Sequence, residues 1–234
     1  YYTTVSLLTS KRLGRRRFIP SAYFQEVGKH CRPKRSNQEG HSGEKGEVHS
    51  KKGVCMKITD AVKLPVKDVV FIDPGLGGSG WAAWSTISNC HGPIPEIPYG
   101  FGVIHGSRAA DWKLQCLEIW RLFESLYNMH DWKTLVIEYP SLWEGSAVSH
   151  AAASGEESNL SKMYFLIGGL TCIWHRNSVA SLPILISPQA WKGQLPKSIV
   201  IDRIQKYFPP GVQIPDHAGD ALGMGFSLQG LLTR

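Results

Sequence analysis

The sequence predicts an α/β domain: a mixed five-stranded sheet, with three strands in an antiparallel meander and two parallel, flanked by helices. Three observations predict it. Short β-branched and aromatic runs come first, joined by tight glycine-rich or proline-rich links. Two more strands follow, and these alternate with segments of helical periodicity. That alternation needs crossover connections, which set strands parallel. Of the 234 residues 42% are hydrophobic, with eight Trp, eight Tyr and eight Phe, enough for one sizeable core.

The elements are read in order. KDVVFID (67–73) is a buried strand, GLGGSG (75–80) a turn, and WAAWSTIS (81–88) a strand returning from it. PYGFGVIHG (98–106) supplies the third strand. From Asp111 to Met129, Trp112, Cys116, Ile119, Trp120, Phe123 and Tyr127 recur at helical spacing, giving an amphipathic helix. KTLVIEYP (133–140) is a strand stopped by Pro140. SNLSKMYFLIGGLTCIWHR (158–176) is a helix apolar on most faces, and LPILISP (182–188) the last strand. PKSIVIDRIQKYF (196–208) is a helix opened by proline, and PDHAGDALGMGFSLQGLL (215–232) a final helix with acids in its first turn.

The charge is unevenly placed. Residues 1–55 hold twelve Lys/Arg and four Asp/Glu, whereas residues 56–234 hold fourteen and fifteen, so the net +7 comes from the first quarter. That quarter is rich in charge, Ser and Gly and cannot bury enough surface to offset its ordering entropy. It is expected to be a disordered basic extension. Met56, which opens MKITDAVKLPVKDVVFIDPG, is the expected native start, and a phosphate-gripping arm is the alternative. The folded part is then residues 56–234.

Five cysteines without a C-x-x-C pair argue against a disulfide framework and a structural zinc site and suit a reducing compartment. The longest apolar stretch, MYFLIGGLTCIW (163–174), is too short to span a bilayer, and no secretory signal is visible. A cytoplasmic location with no membrane partner is the expectation.

GLGGSG satisfies G-x-G-x-x-G, but a dinucleotide loop needs a helix after it and an acid about 20 residues on. WAAWSTISNCHGP is a poor helix, and Gly100 stands where the acid would be. The glycines read instead as positive-φ residues of a strand-to-strand turn.

Asp73 is then left to explain. It ends a buried strand, where an acid must be paired, capped or bound to metal. Asp-Pro-Gly is also a good turn sequence, so Asp73 alone decides nothing. The arrangement recurs: Glu138 ends KTLVIE and is followed by Tyr-Pro. Asp216, His217 and Asp220 then open the last helix at spacings of four and three to Asp220, on one helical face. Asp216, after Pro215, is also a natural N-cap. Together these residues make a site for two divalent cations, and hard oxygen ligands suit Mg²⁺ or Mn²⁺. Two such ions activate a water and stabilise the leaving oxygen in phosphodiester cleavage.

IDPGLGGSGWA (72–82), VIEYP (136–140), SPQAWKGQLPKSIV (187–200) and DHAGDALGMG (216–225) resemble the RuvC family of Holliday-junction resolvases, on the RNase H-like fold. The likeness is to the divergent phage and prophage forms. It implies that Asp73, Glu138 and Asp220 are the family's catalytic, metal-holding acids. His217 falls at the family's position three residues before the last aspartate, with Asp216 one place off. Either could be the fourth ligand while the other caps the helix; the spacing favours His217. WKGQLPK matches the family's basic loop, which implies Lys192 and Lys197 as DNA contacts; as single residues they read equally as solvated loop lysines. The resemblance further implies a homodimer that cuts four-way junctions in the cytoplasm of a bacterial or phage-infected cell. The nearly neutral folded part departs from what phosphate binding favours.

The reading is therefore a Mg²⁺-dependent endodeoxyribonuclease for branched DNA. The alternative is a catalytically weak RNase H-like module that binds branched DNA or a replication or recombination partner. An actin-like phosphotransferase ranks third, because two such domains are normally needed to enclose a nucleotide.

Overall fold

A computed structural model of the chain describes residues 57–88, 95–106, 111–140, 158–178 and 181–232. The basic first quarter lies outside these residues. A short helix α1 (Ile58–Ala61) leads into β1 (Val66–Asp73), β2 (Ser79–Ile87) and β3 (Gly100–Ile104). Then come α2 (Trp112–His130), β4 (Thr134–Glu138), α3 (Asn159–Asn177), β5 (Ile184–Ile186), α4 (Pro188–Trp191), α5 (Lys197–Gln205) and α6 (Asp216–Leu228).

The strands form one sheet in the order β3-β2-β1-β4-β5. β1 pairs antiparallel with β2, and β2 with β3, whereas β1–β4 and β4–β5 are parallel. The antiparallel meander plus two parallel strands is the expected architecture. β1 and β2 begin earlier than the sequence suggests, and β2 takes in Ser79 and Gly80 of the expected turn, whereas several later elements are narrower. β5 is confined to three residues between Pro183 and Pro188, since proline has no N–H for the ladder. β3 starts two residues after Pro98, α5 stops at Gln205, and α6 at Leu228. The short helices α1 and α4 are absent from the sequence reading. Four residues rarely show a period, and Pro188 closes the strand reading while Trp191 opens the stretch assigned to the basic loop.

Caps explain where the long helices begin. The Asp111 side chain accepts from Lys113 N, and the Ser158 side chain from Ser161 N. α2 ends at Asp131, which takes a left-handed conformation at φ 49°.

Two cores sandwich the sheet. On one face Val70, Ile72, Ala83, Leu135 and Ile137 pack with α2 and α3, around Phe123, Trp132, Leu166 and Trp174. On the other, Val69, Phe71, Ala82, Trp84 and Val136 pack against Ala221, Leu222, Met224 and Phe226 of α6 and Val200 and Ile204 of α5. α6 is buried from Ala218 to Phe226, as its glycine-rich, apolar sequence requires. No helix among the described residues is long and apolar enough to cross a membrane.

Candidate metal centre

Strand register brings the first two acids together. Ile72 pairs with Ile137 across the parallel β1–β4 ladder, so Asp73 and Glu138 follow at the same C-terminal edge of the sheet. Side chains alternate along a strand, so Asp73 is in phase with Phe71 and Glu138 with Val136. Both belong to the face that packs on α6. Asp220 lies on α6 and is itself buried. The three acids predicted from sequence therefore share one edge and one face.

Two lysines join them. Lys192 Nζ lies 3.3 Å from Asp220 Oδ1, and Lys197 Nζ lies 3.0 Å from Asp220 Oδ2. Lys197 also reaches Asp216 Oδ2 at 3.2 Å. The Lys192 and Lys197 side chains are only 20% and 35% exposed, so neither is a freely solvated loop lysine.

The electrostatics are those of acids crowded in a dry site. Burial, then the charges of Glu138 and Asp220, push the Asp73 carboxyl from 3.8 up to about 8, against the pull of both lysines. No hydrogen bond from a described residue reaches its carboxylate, so the Asp-Pro-Gly turn does not consume it. Burial also raises Glu138, while Lys192, an indole hydrogen bond and Lys197 oppose that shift. Burial alone would lower the Lys197 pKa; Asp220 and Asp216 outweigh it and raise the value.

His217 is exposed and stands over the glycine turn. A Cβ on Gly75 would lie 3.7 Å from its Cε1, and one on Gly78 would lie 3.6 Å from its Cδ2. Asp216 is exposed and held by Lys197. Pro215 is the N-cap residue and no side chain caps α6, which corrects the N-cap expected of Asp216.

The turn itself needs correction. Among the described glycines only Gly193, Gly211 and Gly230 have positive φ. GLGGSG is glycine-rich because backbones approach closely: a Cβ on Gly80 would sit 1.8 Å from the His217 carbonyl oxygen, and one on Gly75 2.5 Å from the Gly78 oxygen. The Gly80 approach seats the start of α6 against β2.

One site residue was missed from sequence. Trp191, at the end of α4, donates its indole N–H to Glu138 Oε2 at 2.8 Å. A tryptophan beside the basic loop reads as core, and its partner lies 53 residues away; only the fold reveals the bond.

Among the described residues no three His, Cys, Asp or Glu side chains converge closely enough to chelate an ion as they stand. The donor chemistry nevertheless fits a hard divalent cation. Three buried or partly buried carboxylates lie at one sheet edge, Asp73 has no hydrogen-bonding partner among the described residues, and both oxygens of Asp220 already attract cations, in the form of ammonium groups.

Among solved structures the fold is similar to "T. thermophilus RuvC in complex with Holliday junction substrate", with a TM-score of 0.51 and 16% identity, covering 68% of this chain and 90% of that one. A second Thermus thermophilus RuvC structure matches with a TM-score of 0.51 and 15% identity, over 68% of this chain and 91% of that one. The yeast mitochondrial Holliday junction resolvase Ydc2 aligns at 15% identity over 75% of this chain and 86% of that one, with a TM-score of 0.43. No family model matches the sequence, and no curated protein does. At these identities the likeness is one of fold, and the fold is that of the RuvC-like resolvases.

Proposed function

From a RuvC-like resolvase fold that gathers Asp73, Glu138 and Asp220 at one edge, we propose that this chain is a divalent-metal-dependent endonuclease for branched DNA. The four-way junction is its substrate class. The convergence of three buried or partly buried acids beside two lysines carries the reading. A purely structural role would leave Asp73, which has no partner among the described residues, either paired or replaced by an apolar residue.

In this reading Asp73, Glu138 and Asp220 would hold two Mg²⁺ or Mn²⁺ ions, with His217 as the fourth ligand. Such ions, when bound, polarise the scissile phosphate and supply a nucleophilic water at neutral pH. The chain's own residues do the rest. The dry edge strengthens every charge interaction within it. His217 is preferred to Asp216 for its spacing of three residues to Asp220, and it stands over the glycine turn that follows Asp73. Lys192 and Lys197, beside Asp220, would be the cations nearest the phosphate oxygens of a bound DNA. A homodimer would present two such sites to two strands. Leu114 and Leu117 of α2 and Phe165 of α3 are exposed apolar side chains available to a second copy.

A second reading is a catalytically weak module that binds branched DNA. It draws on the two lysines that already neutralise Asp220 and on the lack of a ready-made chelate among the described residues. Incubating the chain and its Asp73→Asn variant with a labelled four-way junction separates the two. The nuclease reading expects cleavage in Mg²⁺ by the parent only, with binding kept in both. Equal cleavage by Asp73→Asn would sink the site assignment, and binding without cutting would favour the second reading.

A further inference from the structure

We propose that Trp191 is a positioning residue of this site: its indole N–H orients Glu138, and its ring seats the Lys192 ammonium that pairs with Asp220. The inference rests on the metal-site reading and adds to it a residue that never touches the reacting atoms.

The local structure fixes the indole from several sides. Ser187 caps α4 by accepting from Ala190 N at 3.3 Å, and Pro188 starts the helix with its preset φ. Trp191 follows one turn on. Its backbone carbonyl accepts from Ser227 Oγ of α6 at 2.6 Å, which ties α4 to the helix that carries Asp220. A Cβ on Gly223 of α6 would lie 2.4 Å from the ring carbon Cζ3. Glycine in a helix interior costs about 1 kcal/mol relative to alanine. At Gly223 the missing Cβ leaves the room that the indole occupies.

From this seat the ring serves two charged groups. Nε1 donates to Glu138 Oε2 at 2.8 Å, which leaves Oε1 for a cation. Lys192 Nζ stands 4.9 Å from the ring centroid, within cation–π range, while it pairs with Asp220 Oδ1. Other buried or partly buried indoles donate their N–H to neutral acceptors. Trp84 donates to Glu96 O, Trp120 to Leu166 O and Trp174 to Ser181 O, whereas Trp191 donates to a carboxylate at the candidate site. Groups that orient a metal ligand in this way typically carry ~10–100-fold of metal affinity.

The test is Mn²⁺ binding by the full chain, followed through the electron paramagnetic resonance signal of free Mn²⁺, without DNA or turnover. Trp191→Phe keeps a ring in the slot and removes the N–H. It is expected to weaken Mn²⁺ binding by about tenfold or more. In a Glu138→Ala background the same substitution is expected to cost much less, because the group it orients is gone. Gly223→Ala, which crowds the ring without removing any polar group, should weaken binding in the same direction. Parent-like Mn²⁺ affinity in Trp191→Phe, with binding lost in Asp73→Asn, would overturn the positioning role and leave the metal site standing. If Trp191→Phe does not fold, unchanged affinity in a folded Gly223→Ala protein overturns it. A parent chain that binds no Mn²⁺ overturns the metal-site reading and this inference together.

Discussion

Lys197 and Asp220 are held 3.0 Å apart, ammonium to carboxylate, on an aspartate whose side chain is 9% exposed. Lys192 holds the other carboxylate oxygen at 3.3 Å. A buried carboxylate without a partner is costly, so these two lysines let α6 pack with Asp220 inside it. Asp220 is therefore the acid that the chain's own cations neutralise, and Asp73 the one left to be neutralised by a proton or a metal.

Removing one of these cations should weaken the metal-free protein. Lys197→Met is expected to lower unfolding free energy by about 1–2 kcal/mol, the low end for a hydrogen bond to a charged group because the Lys197 side chain is partly solvated. Saturating Mg²⁺ should recover part of the loss, because a divalent ion supplies the missing charge. Urea unfolding with and without Mg²⁺ reads both effects. A loss unaffected by Mg²⁺ would mean that the ion does not reach Asp220.

Asp73 predicts a stability that depends on pH. In the unfolded chain its carboxyl titrates near 3.8, and in the fold near 8, so the folded state binds the proton more tightly. Its contribution is favourable below the unfolded value and is lost as pH rises between the two. Asp73→Asn, which cannot ionise, should therefore melt higher than the parent at pH 8 without metal. The gap should close toward pH 4. A parent that melts higher than Asp73→Asn at pH 8 without metal would contradict the burial of an unpaired carboxylate.

The same proton couples to metal. A cation must displace it, so Mn²⁺ affinity should fall as pH drops below about 8, with proton release on binding. Calorimetry in two buffers of different ionisation enthalpy measures that release directly.

Gly80 predicts a packing failure. A Cβ there would collide at 1.8 Å with the His217 carbonyl, which is backbone and cannot rotate away. Overpacking typically costs about 1–3 kcal/mol, and a clash with helix backbone belongs at the upper end. Gly80→Ala should lower the melting temperature and weaken Mn²⁺ binding together, because it moves the helix that carries Asp220. Gly77→Ala is the control, since a Cβ there meets nothing within 4 Å.

His217 and Asp216 should separate in function. His217→Ala is expected to reduce metal-dependent cleavage at least tenfold. Asp216→Ala, which frees Lys197 from one of its two partners, should change it only a few-fold. The reverse order would make Asp216 the fourth ligand.

Much of this was legible in the chain because local rules and the global fold agree. Each β-branched run ending in an acid marks both a strand and its terminus, so Asp73 and Glu138 were legible as strand-end acids without the fold. Asp220 was visible as an acid at the point where a helix turns apolar. What escaped were relationships between distant segments. The Trp191–Glu138 bond spans 53 residues, and nothing near either residue signals it. The Gly80 contact with the His217 backbone was misread as turn chemistry, because a glycine that permits close approach looks like one that supplies positive φ. The pairing of Lys192 and Lys197 with Asp220 was not legible either, since 28 residues separate Lys192 from that acid.

The most direct measurement is strand cleavage of a labelled four-way junction, with and without Mg²⁺, beside a linear duplex of the same sequence. The account predicts paired, symmetric nicks near the crossover that require Mg²⁺ and are lost in Asp73→Asn. Junction binding with intact strands in both Mg²⁺ and Mn²⁺ would contradict it.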